Sequence, residues 1–263
     1  MKKALKTPIS YYGGKQLMLK HILPIIPAHK VYVEPFVGGG AVFWAKEPSE
    51  CEIINDKNGS VVNFYKQLKL NFDQLKLLID ATPFSRENYK NAMVIYNCPY
   101  LFNELQRAWA FWVVTSQGFS KKIGSWMSSS IKQNLAPQIE NKKLAFDECL
   151  KVRLNLTQIE HLDAIELIRR TDSPETFFYL DPPYVNSNQG HYSGYIQENF
   201  NELLDTISKI KGKFLLSSYP NTQLDNYRQK YGWYYNDMDM SKPASKNNKA
   251  RKVEALTANY PII

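Results

Sequence analysis

Cysteine and histidine are scarce in this sequence, and long apolar runs are missing from it. Its 263 residues include three cysteines and four histidines, all widely spaced. Without a CxxC pair or a His/Cys cluster, the sequence offers neither a disulfide framework nor a zinc site. No stretch approaches the roughly 20 apolar residues of a membrane span, and none of signal-peptide length follows the basic residues 1–6. We therefore expect a soluble, cytoplasmic protein that binds neither a metal nor a membrane.

Basic and aromatic residues, by contrast, are plentiful. Lysine and arginine outnumber aspartate and glutamate by 33 to 25, a net charge of +8, and aromatic residues make up 13% of the chain. A positive surplus of this size suits a surface that binds the phosphates of a nucleic acid, although it could serve solubility alone. The hydrophobic fraction of 44% indicates a packed core, and the length suits one α/β domain with a smaller insertion.

Three zones of the chain differ in their apolar pattern. In residues 1–60 and 150–263, short apolar runs alternate with turns, which predicts an α/β fold with a mostly parallel sheet and helices on both faces. Residues 61–149 show the spacing of amphipathic helices and include a polar, turn-rich stretch. We therefore predict a discontinuous catalytic domain, 1–60 and 150–263, around an inserted, mostly helical target-recognition lobe, 61–149. The expected strands are 31–33, 53–54, 177–180, 214–216, 233–235 and 253–260, and the expected helices include 41–46, 105–115 and 201–210.

A glycine loop, Gly38-Gly39-Gly40, separates the first expected strand from the following helix. Glycines let a backbone approach a ligand closely, and the amino end of a helix offers free N–H groups. Asp56 ends the next strand, where a carboxylate would accept the ribose hydroxyls of a nucleoside; it could instead cap the next helix. The triple glycine departs from the GxGxxG spacing of dinucleotide sites, which weighs against a nicotinamide-dependent oxidoreductase.

The most specific pattern is Asp181-Pro182-Pro183-Tyr184, which follows an apolar strand. Two successive prolines remove two backbone N–H donors and stiffen the turn. Such a loop presents a carboxylate, a fixed carbonyl acceptor and an aromatic ring together. A purely structural strand-to-loop turn is the alternative.

These groups match the chemistry of methylating a planar exocyclic amine, whose lone pair is delocalised into its ring. The Asp181 carboxylate and the Pro182 carbonyl could hold the two amine hydrogens and orient the lone pair toward a sulfonium methyl. Such hydrogen bonds strengthen in the transition state, and alignment lowers the barrier further. Tyr184 would stack on a base flipped out of a duplex.

With these motifs in order along the chain, the sequence resembles the Dam-type, site-specific adenine-N6 DNA methyltransferases (D12 class, alpha group). The resemblance covers both ends of the chain and leaves the middle lobe weakly matched. It implies a Rossmann-like methyltransferase sheet, S-adenosylmethionine as cofactor with S-adenosylhomocysteine as product, and double-stranded DNA as substrate. The matching segments are Tyr11-Tyr12-Gly13-Gly14-Lys15, Val33-Glu34-Pro35-Phe36-Val37-Gly38-Gly39-Gly40, Ile54-Asn55-Asp56, Asp181-Pro182-Pro183-Tyr184, Leu215-Leu216-Ser217-Ser218 and Arg251-Lys252-Val253-Glu254-Ala255-Leu256.

The resemblance also assigns cofactor-binding roles. Tyr11 stands where the family usually has tryptophan, and a ring near the sulfonium is chemically reasonable. Lys15 would meet the cofactor or the DNA backbone. Asp163 falls where the family places residues around the cofactor adenine, although it could equally cap a helix. The expected cofactor contacts are Tyr11, Lys15, Glu34, Pro35, Phe36, Gly38, Gly39, Gly40, Asp56, Asp163 and Asp181, the last shared between the methionine amine and the target base.

In this family the segment between the two motif blocks recognises the target sequence. Here it mixes basic, amide and aromatic side chains that can read and wedge DNA, and a basic tail after residue 241 could contact phosphates. A solvated or packing role is the alternative for each of these residues. The expected DNA contacts are Lys15, Arg107, Gln117, Phe119, Lys121, Lys122, Trp126, Lys246, Lys249 and Arg251.

Several functions stay open at this stage. The same amine chemistry would serve adenine in RNA or cytosine N4, and a non-catalytic nucleic-acid-binding module could keep the fold. The complete set of motif residues favours catalysis, and the resemblance favours adenine in DNA. We expect a monomer in a bacterial or phage-infected cell, which could belong to a restriction-modification system without touching its endonuclease.

Overall fold

The computed structural model of the chain describes residues 5–11, 13–184, 195–239 and 253–262. A seven-stranded sheet forms its centre. The strands are β1 (Val31–Glu34), β2 (Cys51–Asn55), β3 (Thr157–Glu160), β4 (Thr176–Leu180), β5 (Lys213–Ser218), β6 (Tyr234–Asp239) and β7 (Val253–Ala258). Their order is β3-β2-β1-β4-β5-β7-β6. The pairs among β1 to β5 are parallel, whereas β7 pairs antiparallel with both β5 and β6.

Helices cover both faces of the sheet. They are α1 (Leu19–Ile22), α2 (Ala41–Ala45), α3 (Gly59–Leu70), α4 (Phe72–Asp80), α5 (Arg86–Asn97), α6 (Glu104–Ser116), α7 (Ala136–Leu144), α8 (Glu148–Leu154), α9 (Ala164–Thr171), α10 (Gln197–Ile207) and α11 (Thr222–Tyr231), with short 3-10 turns at Leu23–Ile25, Pro99–Leu101 and Phe119–Lys121. Alternate strand residues serve the two faces, as the pleat requires. Tyr32 and Phe177 join the core beneath α2 to α8, whereas Val33 and Phe178 join the core beneath α9 to α11.

The predicted α/β fold with a mostly parallel sheet is confirmed. Each expected strand is present, and the described elements between residues 61 and 149 are helical. Several elements were not predicted, among them the strand β3 and the helices α9 and α11. The helix expected at 201–210 lies at Gln197–Ile207 instead, because the Asn199 side chain accepts the Ile196 N–H at 3.0 Å and starts the helix earlier.

The helical segment packs directly on the sheet. Its central helix, α6, begins at a reciprocal cap between Asn103 and Gln106. Phe111 and Trp112 of this helix have no exposed surface and share one apolar core with strand residues such as Phe177. The predicted boundaries at 60/61 and 149/150 fall inside α3 and α8. The division into a catalytic and a target-recognition domain stays a prediction. In the structure, the two segments share one hydrophobic core.

Candidate active site

The motif loops meet where the strand order reverses. β1 and β4 lie side by side in the middle of the sheet. Glu34 is the last residue of β1, and Asp181 follows directly after the fully buried β4. Ligands of open α/β sheets bind in the crevice at such a point, beyond the carboxyl ends of the strands. The sheet therefore brings the glycine loop and the Asp181 loop to one edge.

The glycine loop is held from two sides. The Gly38 N–H donates to Asp56 Oδ2 at 2.8 Å, and the Tyr65 hydroxyl donates to the Gly38 carbonyl at 2.9 Å. Gly38 has a φ of +46°, in the left-handed region that side chains disfavour. A Cβ there would also lie 2.8 Å from Cδ1 of Tyr11. Glycine at this position is therefore required by the backbone and by the neighbouring ring.

Tyr11 is part of the wall of the site. Its ring packs on the glycine loop and is almost fully buried, and its centroid lies 6.5 Å from that of Phe111 in α6. Tyr11 also lines the cleft beside Asp181. A ligand in the cleft would therefore meet a ring whose position is set by both the sheet and the helical segment.

Asp56 is buried at the end of β2 and binds backbone groups with both carboxylate oxygens. One oxygen accepts from Gly38, and the other accepts the Asn58 N–H at 2.8 Å. The cap of α3 is Asn58, whose side chain accepts the Ser60 N–H at 3.0 Å. Capping of α3, the alternative reading of Asp56, is therefore wrong.

Asn55, the last residue of β2, ties two loops to that strand, a role that the sequence did not reveal. Its buried amide donates to the Pro35 carbonyl at 2.9 Å and to the Leu162 carbonyl at 3.2 Å, and it accepts the Leu162 N–H at 2.8 Å. The glycine loop and the loop before α9 are thus tied to the end of β2. In that second loop, Asp163 caps α9 by accepting the Ile165 N–H at 2.9 Å.

The Asp181 loop carries a buried ionic cluster. Lys15 Nζ donates to Asp181 Oδ1 at 2.7 Å and to the Tyr184 hydroxyl oxygen at 2.6 Å, and it lies 3.4 Å from Glu254 Oε1. The Tyr184 hydroxyl donates to Glu254. The Ser217 hydroxyl donates to the same Glu254 oxygen at 2.5 Å. Glu254 and Ser217 belong to motif segments but carried no predicted role. In the sequence, Glu254 is the first acidic residue after a run of basic residues, and this isolated position could have indicated a role for it.

Burial changes the pKa values of the ionisable groups in the cleft. Burial raises the pKa of Asp181 to about 6, against the opposing effect of the Lys15 ammonium. Burial also raises the pKa of Glu34 to about 8, although the hydrogen bond from the Tyr32 hydroxyl opposes the rise. Burial acts to lower the pKa of Lys15, but Asp181 and Glu254 outweigh it and raise that pKa. Lys15 is therefore an ammonium at neutral pH, and Asp181 is mostly ionised.

Two cavities meet at Phe36 and Pro183, which line both of them. The first, about 770 Å³, lies between the glycine loop and the Asp181 loop. The second, about 780 Å³, is lined by Asp56, Asp163 and Tyr195 among others. Both cavities are lined by residues that follow the carboxyl ends of strands, Asp181 in the first and Asp56 in the second, which is where ligands of such sheets bind.

The donors and acceptors of the cleft fit S-adenosylmethionine. Carboxylates line the second cavity, where ribose hydroxyls and an adenine amine need acceptors, and the ionised Asp181 lines the first, where an ammonium and a sulfonium need negative charge. Glu34 also lines the first cavity, but with a pKa of about 8 it is mostly protonated at neutral pH and offers hydrogen bonds rather than charge. The Tyr195 hydroxyl, beside the second cavity, is buried and has no hydrogen-bond partner in the described parts of the chain. A bound nucleoside could satisfy it.

The predicted DNA contacts occupy very different positions. Phe119 is 62% exposed, and Lys122 is exposed in the same loop. Trp126 is half-buried, with the Arg86 guanidinium 4.5 Å from its ring centroid. Arg107 is partly exposed and lies 3.7 Å from Glu104. Lys121 ends a short 3-10 turn, and Lys246, Lys249 and Arg251, like Tyr12 of the first motif, lie outside the described residues.

Two of the predicted DNA contacts disagree with the structure. Gln117 has no exposed surface, and its amide donates to the Pro83 carbonyl at 3.3 Å. Lys15 is only 6% exposed because its ammonium is drawn in by Asp181 and Glu254. Neither side chain can touch a DNA backbone in this arrangement, so Gln117 supports the loop and Lys15 belongs to the cleft.

Two kinds of feature are absent from the described residues. No helix among them has the length and apolar character needed to cross a bilayer. No group of three or more His, Cys, Asp or Glu side chains among them is arranged to hold a metal ion.

Several known proteins are similar to this chain. A type II methyltransferase of Lactococcus lactis subsp. cremoris is 26% identical over 282 aligned positions, which cover 94% of this chain and 93% of that protein. A DNA N-6-adenine-methyltransferase of Escherichia phage P1 is 34% identical over 101 residues, 38% of this chain and 13% of that protein. A solved rRNA methylase from Streptococcus thermophilus aligns over 92% of this chain and 93% of its own chain, with a TM-score of 0.37 and 7% sequence identity. A similarity this low establishes neither a shared fold nor a shared function.

A family model described as D12 class N6 adenine-specific DNA methyltransferase matches residues 11–258. That range includes the glycine loop, the Asp181 loop, the helical segment between them and the closing strand β7. The chain therefore belongs to the D12 class N6 adenine-specific DNA methyltransferases, enzymes that methylate adenine in DNA.

Proposed function

We propose that this chain transfers a methyl group from S-adenosylmethionine to N6 of adenine within a specific sequence of double-stranded DNA, after the target base has been flipped out. One observation carries the proposal. Asp181, Lys15 and Tyr184 are hydrogen-bonded to one another beside a cavity that shares Phe36 and Pro183 with the cavity lined by Asp56. Amine-holding and nucleoside-holding groups thus line two adjacent cavities.

The cofactor would lie across both cavities. Bound S-adenosylmethionine supplies an electrophilic methyl group on a positively charged sulfur. Asp56 would accept from the ribose hydroxyls, since a carboxylate retains lone pairs beyond its two backbone bonds. Asp163 and the Tyr195 hydroxyl would flank the adenine end. The methionine part would be enclosed by Tyr11, Lys15, Glu34, Pro35, Phe36, Gly38, Gly39, Gly40 and Asp181.

The target amine would lie at the Asp181 loop. The Asp181 carboxylate and the Pro182 carbonyl would accept its two hydrogens, which leaves the lone pair directed at the methyl group. These bonds strengthen as the nitrogen becomes positive, so they stabilise the transition state more than the ground state. Pro183 stiffens the loop. Tyr184 would stack on the flipped base, and its own ring is supported by Tyr219, with 4.1 Å between centroids.

The helical segment would read the DNA sequence. Exposed aromatic and basic residues in the loop after α6, Phe119 and Lys122 among them, suit wedging and phosphate contact. We further propose that the enzyme acts as a monomer in the cytoplasm of a bacterial or phage-infected cell. The names of two relatives, a type II methyltransferase and a modification methylase of Streptococcus sanguinis, support a place in a restriction-modification system. We propose that the chain does not contact the endonuclease of such a system.

A methylation assay on defined polymers tests the proposal. Labelled S-adenosylmethionine is incubated with duplex DNA, single-stranded DNA and RNA, and the modified base is identified by mass spectrometry. Single-molecule sequencing of DNA from cells expressing the chain then gives the sequence context. We expect N6-methyladenine in one short duplex motif. Label in RNA, or in cytosine N4, would replace the proposal by one of the two alternative targets, and no label in any polymer would favour a binding module.

A further inference from the structure

One buried carboxylate of the site comes from the far end of the chain. β7 runs antiparallel between β5 and β6, with Ala255 opposite Ser218 and Glu254 opposite Met238. The amino end of β7 therefore lies at the carboxyl end of β5, the same edge that carries Asp181. Glu254 is 9% exposed and is not among the described residues that line either cavity, so it can act only through its neighbours.

Glu254 contacts both partners of Asp181. The Tyr184 and Ser217 hydroxyls donate to its Oε1 atom, and Lys15 Nζ lies 3.4 Å from that atom. Lys15 is thus placed between two carboxylates, with Asp181 at 2.7 Å. The cluster holds one ammonium and two carboxylates.

We propose that Glu254 is a positioning residue, which offers the Lys15 ammonium a second carboxylate and thereby frees Asp181 to accept from its ligands. The proposal rests on the function proposed above, in which Asp181 must serve the cofactor and the target amine. While Lys15 is bonded to Asp181 Oδ1, that oxygen is oriented toward the ammonium. If Lys15 moves from Asp181 toward Glu254, its ammonium stays paired with a carboxylate throughout. This change of partner therefore avoids the large free-energy cost of an unpaired buried charge.

A neutral side chain would satisfy the local hydrogen bonds equally well. A glutamine carbonyl can accept from Tyr184 and Ser217, yet the site buries a carboxylate, which costs desolvation unless its charge is used. The charge has a use in this position because Lys15 must remain paired when Asp181 turns to its ligands.

The groups around Asp181 define what removing this charge should do. Lys15 and Tyr184 contact Asp181, Glu254 stands behind them on β7, Glu34 ends the adjacent β1, and the buried phenol of Tyr179 precedes the loop on β4. The Glu254 carboxylate acts to raise the pKa of Asp181, and the Lys15 ammonium acts to lower it. Removing the Glu254 charge should therefore shift the titration of Asp181 to lower pH.

Glu254→Gln tests the role of the charge because it keeps the acceptor atom. Binding of S-adenosylmethionine and of S-adenosylhomocysteine is measured by calorimetry, with no turnover involved, in wild type, Glu254→Gln, Lys15→Met and the double variant. We expect about three- to thirtyfold weaker binding in Glu254→Gln, and less than about twofold further loss when it is added to Lys15→Met, since coupled residues are non-additive. Glu254→Asp should restore most of the affinity. Glu175→Gln, at an exposed glutamate, is the matched control and should bind like wild type.

Equal losses in the two Lys15 backgrounds, or unchanged binding in Glu254→Gln, would overturn the proposal. Thermal unfolding identifies a variant that does not fold, and Lys15→Gln then replaces Lys15→Met. A second measurement is the pH dependence of single-turnover methylation, whose acid limb should move to lower pH in Glu254→Gln. A limb that stays in place would contradict the proposal. If the wild-type chain methylates no adenine, the proposed function fails, whereas the binding cycle still reports on Glu254.

Discussion

The cleft at the sheet edge and the loop of residues 117–135 are built in opposite ways. In the cleft, charged side chains are buried and share partners, as Lys15 does with Asp181 and Glu254. In the loop, apolar side chains project into solvent: Phe119 is 62% exposed and Ile131 fully so. Backbone bonds such as Phe119 N–H to Ser125, at 2.6 Å, hold the loop on itself.

This contrast follows from the two tasks that we assign to the regions. Methyl transfer needs acceptors that are already in place when charge develops, because reorganising them would raise the barrier. DNA recognition can use side chains that adjust when the partner arrives. Variants in the cleft should therefore change rates and cofactor affinity, whereas variants in the loop should change DNA affinity.

Asp181→Ala is expected to have the largest effect. Losing the carboxylate removes the acceptor of the target amine, so methyl transfer should fall by about 10³-fold or more. DNA affinity, measured by mobility shift, should change little. Asp73→Ala, at an exposed residue of α4, is the control. Retained methyl transfer in Asp181→Ala would exclude the amine-holding mechanism.

Asp56→Ala should reduce cofactor affinity by about ten- to a hundredfold, because it removes acceptors of two hydroxyl groups and the anchor of the Gly38 N–H. Calorimetry with S-adenosylhomocysteine measures the change. Asp56→Asn keeps one acceptor oxygen and should lose less. An unchanged affinity in Asp56→Ala would remove this residue from the ribose role.

The rate of methyl transfer should depend on pH through Asp181. Its pKa is raised by burial to about 6, and only the ionised carboxylate places a negative charge beside the target amine as that nitrogen becomes positive. Single-turnover rates at saturating substrates should therefore be flat above neutrality and fall about tenfold per unit well below pH 6. Circular dichroism at each pH separates this loss from unfolding. A rate that is constant from pH 5 to 8 would contradict the assignment.

Phe119→Ala should produce the smallest change. The ring is mostly exposed, so its removal should alter the free energy of unfolding by no more than about 0.5 kcal/mol. DNA affinity should fall about three- to tenfold if the ring wedges into the duplex, while cofactor affinity stays unchanged. Tyr234→Ala, at an exposed ring on β6, controls for loss of a surface aromatic. If both variants bind DNA with equal affinity, Phe119 does not contact the DNA and other residues must recognise it.

The strands with strong apolar patterns were predictable, and the weakly patterned elements were not. β4 has no exposed residue, and the apolar and aromatic run Phe177-Phe178-Tyr179-Leu180 identifies it from the sequence alone. β3, Thr157–Glu160, contains a single aliphatic residue and becomes a strand only by pairing with β2. For the site, Gln117 likewise could not be predicted correctly from the sequence. Its polarity suggested a DNA contact, but the fold buries it against Pro83.

The local sequence already determines which loops form the candidate active site. Asp181-Pro182-Pro183-Tyr184 and Gly38-Gly39-Gly40 encode their function in a few adjacent residues, because proline and glycine set the backbone directly.

The partners of these loops were decided by the tertiary structure alone. Asn55 reaches Leu162 across 107 positions, and Glu254 reaches Tyr184 across 70. Such contacts depend on the strand order and on the reversed direction of β7, and a carboxylate in a sequence gives no sign of which distant ammonium it will meet. The motif residues could therefore be named from the sequence, whereas the cluster that holds them required the fold.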